Sequence, residues 1–273
     1  MGTSRTAPIV SLVAVAAALL LAGCGSSSAP VTGSRAGSSS ASATDAASSG
    51  GSGGLGTIVH IGVPAALRRL PLTNQHGQRV TLGSWRGRTV LLVPFLTLCQ
   101  DICPLTTGNL VQVQQSLGAD HAASKVQIVE LSVDPERDTP ARLAAYAKLT
   151  GASWQLVTEP PPELHVLAKF FGFYYQKVPE DDPDARDWWT GKPLTYDVDH
   201  TDNYFVIDPA GVERVVQVAA PDFHGHLNPK LYNFLDALGR QHLKHAPQPD
   251  WTPTDALQAL SVSVQRSLPP SVS

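Results

Sequence analysis

Apolar positions along this chain follow two different periods, and the change from one to the other marks out the elements. The run Thr89 to Leu96 is apolar at nearly every position, as in a strand buried on both faces. A second such run, Val126 to Val133, is closed by Asp134-Pro135, and Trp154 to Val157 is a shorter third. Between these runs the spacing turns helical. Leu110, Val113 and Leu117 share one face of a helix over 105–117, entered through Pro104, whose missing N–H costs nothing in a first turn. Thr139-Pro140 supplies a cap and a first-turn proline for a helix over 141–149, which Gly151 stops. Leu164, Leu167, Ala168 and Phe171 mark a further helix over 162–171. Leu72 to Leu82 reads as a hairpin turning at His76-Gly77. Asn203 to Ile207 and Val212 to Val218 read as strands joined by Asp208-Pro209-Ala210-Gly211. Strands alternating with helices predict an α/β domain whose sheet contains parallel pairs.

The ends of the chain break these patterns. Residues 1–23 carry one charge, Arg5, and an apolar stretch from Pro8 to Ala22 that ends in small residues, as a secretory signal does. That stretch is shorter than the ~20 residues a membrane span needs. Leu21-Ala22-Gly23-Cys24 resembles a bacterial lipobox, so a lipid on Cys24 is expected to anchor an extracytoplasmic protein to the bacterial cell membrane. Residues 24–56 are dominated by Ser, Gly and Ala and are expected to form a flexible tether with a reach of roughly 30 Å. Residues 57–245 have the composition of one folded domain, and about 190 residues suffice for one core. Residues 246–273 read as a tail containing Pro247, Pro249, Pro253, Pro269 and Pro270, with spacing for a short amphipathic helix over 251–268.

A net charge of −3, with no basic patch interleaved with aromatics, does not imply nucleic acid as a partner, and none is expected. Cysteine usage says more. With Cys24 assigned to the lipid, only Cys99 and Cys103 remain, and closing so short a loop removes little unfolded-chain entropy. The pair therefore reads as functional. Cys103 falls at a helix N-terminus, where free N–H groups and the helix dipole favour a thiolate. Strand, dithiol, proline and helix make a thioredoxin-like arrangement, with three residues between the cysteines where the redox motif has two. The wider loop suits either a disulfide or a metal held between two sulfurs. His200, flanked by Asp197 and Asp199, lies just before the second predicted hairpin, which gives it a rigid mount. Two other histidine pairs, His224 with His226 and His242 with His245, read as sites for a second ion or as ordinary surface residues. The irregular stretch Glu180 to Lys192, with Trp188 and Trp189, reads as a partner-binding loop or as a cap over the core.

Three motifs stand in register: Cys99 to Pro104, Ser132 to Thr139, and Val198 to Thr201 ahead of Ile207 to Gly211. Together they resemble the SCO family of copper-binding, thioredoxin-fold proteins of cytochrome c oxidase assembly, over nearly all of 57–245. The resemblance implies a thioredoxin-like α/β fold, with a central mixed sheet flanked by helices and an added N-terminal hairpin. It implies copper, as Cu(I) or Cu(II), on Cys99, Cys103 and His200. It further implies a protein that delivers copper to the dinuclear copper site of the oxidase, or reduces that site's thiols. The partners would be the copper-accepting oxidase subunit and another copper chaperone or a thiol reductant. Gln100 stands where the family commonly has proline, and Leu98 where a polar residue is frequent. Neither is a ligand position, but loop stiffness and polarity around sulfur tune metal affinity and redox potential.

The chemistry also follows from the residues themselves. Thiolate sulfur suits Cu(I) and imidazole nitrogen suits Cu(II), so one set of three ligands follows copper through both states. Three ligands leave a position open for exchange with a partner. Zinc accepts the same donors and is the competing metal. Asp134 and Asp199, or Asp197, are expected to tune the site from behind the ligands, unless Asp134 merely starts a turn and the others are solvated. Two function classes follow: a metallochaperone, and a thiol–disulfide oxidoreductase to which copper is incidental. A peroxiredoxin-like peroxidase is a third, but the Thr and Pro setting upstream of its reactive thiol is missing.

Overall fold

The computed structural model describes residues 54–266. The signal segment, Cys24 and the tether up to residue 53 lie outside the described residues, as do residues 267–273. In chain order, the first half forms β1 (Thr57–Gly62), α1 (Ala65–Arg68), β2 (Leu72–Asn74), β3 (Arg79–Val80), β4 (Thr89–Phe95), α2 (Cys103–Ala119), β5 (Val126–Ser132) and α3 (Pro140–Thr150). Next come β6 (Gln155–Thr158), α4 (Pro161–Phe171), β7 (Tyr175–Pro179), β8 (Tyr196–His200), β9 (Asn203–Ile207), β10 (Val212–Val218) and β11 (Ala220–Pro221). The chain closes with α5 (Pro229–Phe234), α6 (Ala237–His242), β12 (Asp250–Trp251) and α7 (Pro253–Arg266). Among the described residues no helix is long and apolar enough to cross a membrane.

The main sheet is mixed, in the order β1-β10-β9-β4-β5-β6-β2-β3. β4, β5 and β6 run parallel at its centre, and every residue of β4 and β5 is buried, as their predominantly apolar runs predict. β9 joins β4 antiparallel, and the expected hairpin, β2 with β3, extends the other side through β6. Helix ends match the sequence signals. Thr139 caps α3 by accepting from the Arg142 N–H, and Gly151 ends it in the left-handed conformation at φ 80°.

Register explains why a distant histidine meets the dithiol. β9 pairs with β4 through Leu92↔Phe205 and runs the opposite way, so the residues just before Asn203 arrive at the carboxyl end of β4, where the cysteine loop begins. That pairing stops at Leu92, so Pro94 removes no bond to β9.

Three strands lack a periodic signature. β1 is exposed along almost its whole length and joins β10 only as an edge strand, so no buried face shows in its sequence. β7 and β8 form a separate two-stranded sheet that carries His200 at its end. Residues 250–266 join the core: Trp251, Ala256, Ala259 and Leu260 are buried, and α7 packs against α2, β4 and β9.

One acidic residue stands among the buried positions of β5. Glu130 is fully buried, accepting from Thr107 Oγ1 (2.6 Å) and Trp154 Nε1 (2.9 Å). Burial pushes its carboxyl from 4.5 up to about 7, against the pull of those two hydrogen bonds. The folded value lies above the unfolded one, so this contribution to stability is complete below pH 4.5 and fades as pH rises through about 7. Urea unfolding should therefore show stability lost between pH 5 and 7.5, by up to ~3 kcal/mol from this group. Glu130→Gln should flatten that slope; an unchanged slope would assign it to other groups.

Candidate metal centre

The loop between β4 and α2 is fixed before any metal is considered. Asp138, buried just before α3, accepts from the Thr97 N–H (3.2 Å), from Thr97 Oγ1 and from Ser132 Oγ (2.7 Å). From the other side Trp188 Nε1 donates to the Thr97 carbonyl (2.7 Å), and Gln100 Nε2 donates to Glu180 (3.2 Å). Beyond this braced loop, α2 begins at Cys103 itself, with Pro104 in its first turn.

Both cysteines are free and buried. The Cys103 N–H donates to Cys99 Sγ (3.3 Å), so a helix-terminal N–H with no partner inside the helix points at the first sulfur. His200 is half-buried and its Nε2 lies 3.2 Å from Cys103 Sγ. Its Nδ1 lies 3.1 Å from the Thr201 carbonyl, which only accepts, so Nδ1 holds a proton and Nε2 is the nitrogen turned toward the sulfurs. The two Sγ atoms and a ring nitrogen lie within 4.8 Å of one another, the one such group of three among the described residues. Metal–ligand bonds of roughly 2.0–2.3 Å require donors about this close.

The two thiols are unequal, and not as the helix position alone suggests. Cys99 is lowered from 9.0 to about 6, by its hydrogen bond with Cys103 and then, against burial, by His200. Burial and the neighbouring Cys99 push Cys103 well above the ordinary thiol value. The helix N-terminus thus serves the cysteine four residues upstream rather than the one that starts the helix. Burial works against a charged His200 ring, but Cys99 and the charge of Asp202 outweigh it and raise the ring to about 9. The directions favour negative charge on Cys99 over Cys103 and positive charge on the ring beside them.

The acidic residues singled out by sequence stand in different places. Asp134 is buried at the end of β5, where it accepts from the Tyr196 hydroxyl (2.9 Å) and pairs with Arg137. Arg137 Nη1 in turn donates to the Tyr196 carbonyl (2.7 Å), so this pair braces the start of the strand that ends in His200. Asp199 is exposed on β8, and Asp197 accepts from the Val198 N–H. Asp202, which sequence reasoning passed over, is the carboxylate whose charge raises the His200 ring, and Asp197, which sequence reasoning named, also interacts with the charge of that ring. Asp138 belongs to the motif Ser132 to Thr139, but only the fold shows that it grips the metal loop. His224 pairs with Asp222, His242 with Asp101, and His226 and His245 are not part of any such group of donors.

The tryptophan-bearing stretch packs over the loop. Trp188 packs against Tyr146 with the rings tilted at 55° (6.0 Å between centroids), while Arg142 and the Asp187 carboxylate form a buried bidentate pair (2.9 and 2.7 Å). Trp189 stays 44% exposed, which leaves it accessible to another molecule.

The model of the SCO1/SenC family matches residues 65–222, which hold all three candidate donors. The chain belongs to the SCO1/SenC family. It is 28% identical over 152 residues to human "Protein SCO1 homolog, mitochondrial", covering 56% of this chain and 47% of that protein. It is 28% identical over 149 residues to "Putative copper-binding protein" of Stutzerimonas stutzeri, covering 55% and 67% of the two chains. The match spans about half the length of the human protein. Among solved structures, yeast Sco1 with copper bound superimposes with a TM-score of 0.51 at 21% identity, covering 78% of this chain and 92% of that one, and so shares the fold. In this member of SCO1/SenC, α5, α6 and α7 lie beyond the residues that the family model matches.

Proposed function

We propose that this chain is a copper metallochaperone serving assembly of the dinuclear copper site of cytochrome c oxidase. Copper is the cargo, held by Cys99 Sγ, Cys103 Sγ and His200 Nε2. The observation that carries this reading is the convergence of those three atoms, with Nε2 turned inward by the bond from Nδ1 to the Thr201 carbonyl. Two soft sulfurs and one imidazole match copper in both oxidation states, and a relative bearing a copper-binding name accords with that metal. Three donors leave a position at which an incoming sulfur from the copper-accepting oxidase subunit joins before a ligand of this chain leaves. The reading includes residues 1–23 as export signal, a lipid on Cys24 and a tether through residue 56. Together these place the 57–245 domain outside a bacterial cell membrane.

The test is titration of the reduced full chain with Cu(II), followed by absorption spectroscopy. About one equivalent should bind, with a sulfur-to-copper charge-transfer band that disappears in Cys99→Ser and in Cys103→Ser. Binding without that band would sink the assignment.

One observation favours a second reading. Two free, adjacent cysteines, with the Cys103 N–H aimed at Cys99 Sγ, are also the equipment of a thiol–disulfide oxidoreductase acting on the oxidase's cysteines. That chemistry does not need His200 as a ligand.

A further inference from the structure

The stretch from Phe223 to His245 lies outside the family match, yet it reaches the centre of the metal loop. Gly239 of α6 is buried against that loop. A Cβ there would stand 2.5 Å from the Gln100 carbonyl oxygen and 2.9 Å from Asp101 Cα, so only glycine allows the helix this close. The Asp236 N–H donates to the same Gln100 carbonyl (2.9 Å), while its side chain accepts from the Gly239 N–H (2.6 Å) and caps α6 at the contact. His242 Nδ1 donates to Asp101 Oδ1 across 2.6 Å. All three contacts fall on two consecutive residues midway between Cys99 and Cys103.

What holds this segment down is small. Phe223 and Leu235 are buried with Leu105, two residues beyond Cys103, in a cluster apart from the main core and flanked by Leu227 and Leu243, and the segment enters the main core through Leu231 of α5. Gly108 makes room for the Phe223 ring: a Cβ at that position would lie 2.4 Å from it. An element with so limited an apolar anchor detaches more readily than the sheet, so its polar contacts to Gln100 and Asp101 weigh heavily in keeping it closed.

We infer that α5 and α6 form a positioning clamp on the metal loop. Gly239 and His242 hold the Gln100–Asp101 peptide so that the two sulfurs keep a ligand-ready spacing, and opening of the clamp exposes them to a partner. Its consequence for copper release rests on the carrier reading above; its consequence for the thiols does not.

The experiment uses the full chain as wild type, Gly239→Ala, His242→Leu and His242→Asn, the last keeping an N–H near the position of Nδ1. In the metal-free reduced protein, the rate of alkylation of Cys99 and Cys103 by iodoacetamide is followed by mass spectrometry. In the loaded protein, transfer of Cu(I) to a chromogenic chelator is timed. His242→Leu should speed both processes about ten-fold, the effect of losing one charge-assisted hydrogen bond from the closed state, and Gly239→Ala should do at least as much because its Cβ overlaps the Gln100 carbonyl. His242→Asn should stay close to wild type, and far-ultraviolet circular dichroism should be the same for all four. If Gly239→Ala fails to fold, the two His242 variants carry the test. Alkylation at the wild-type rate in His242→Leu, or an equal rise in His242→Asn, would overturn the clamp. Altered alkylation in a protein that takes up no copper would leave the clamp standing and remove the carrier reading.

Discussion

His200→Ala should lower Cu(II) affinity by more than about 100-fold, because even partners that only orient a ligand are worth roughly 10–100-fold. Cu(I) should be held better than Cu(II) by the variant, since two sulfurs suffice for a soft monovalent ion. The substitution removes a half-buried ring whose contacts run to Cys103 and Thr201, so the sheet should survive it. Competition with chelators of known affinity, run in both oxidation states, measures the effect. A thiol–disulfide exchange assay on the same variant separates the two proposed functions: a carrier loses its Cu(II), whereas a dithiol reductase keeps most of its turnover. Cu(II) affinity unchanged in His200→Ala would remove the imidazole from the ligand set.

Asp138→Ala should have the largest effect on the fold. Its carboxylate gathers the Thr97 N–H, the Thr97 hydroxyl and the Ser132 hydroxyl in a fully buried pocket, and alanine leaves all three donors without an acceptor. The expected cost is roughly 3 kcal/mol in urea unfolding, the scale of breaking a buried polar network. Because Thr97 is two residues from Cys99, the variant should also bind copper more weakly at temperatures where it remains folded. Asp138→Asn keeps one accepting oxygen and should fall between the two. Full stability in Asp138→Ala would show that the loop is held mainly by Trp188 and Gln100.

Much of this was legible in the residues. The two buried runs, Thr89 to Leu96 and Val126 to Val133, announced the parallel centre because strands covered on both faces have no polar alternation to disguise them. The donor trio follows from motif order and resemblance, and the register of β9 on β4 explains how it converges. What stayed hidden was decided by tertiary contact. β1 has no buried face, so its sequence resembles a linker. The unequal thiols depend on which sulfur a single N–H points at, a matter of loop geometry that spacing does not encode. Residues 250–266 looked marginal because two prolines precede a short apolar stripe, yet that stripe meets α2 and β4. Asp101 and His242 lie 141 positions apart, and no local pattern links them.

The two sulfurs sit four residues apart, but the imidazole enters 97 positions after the second of them. An ion held by all three donors would thus fasten a wide ring of polypeptide that is otherwise shut by strand pairing. A chain whose β9 has not yet zipped onto β4 offers a bare dithiol and no nitrogen, so tight capture of Cu(II) has to follow maturation of the sheet. Cargo is its own certificate of folding.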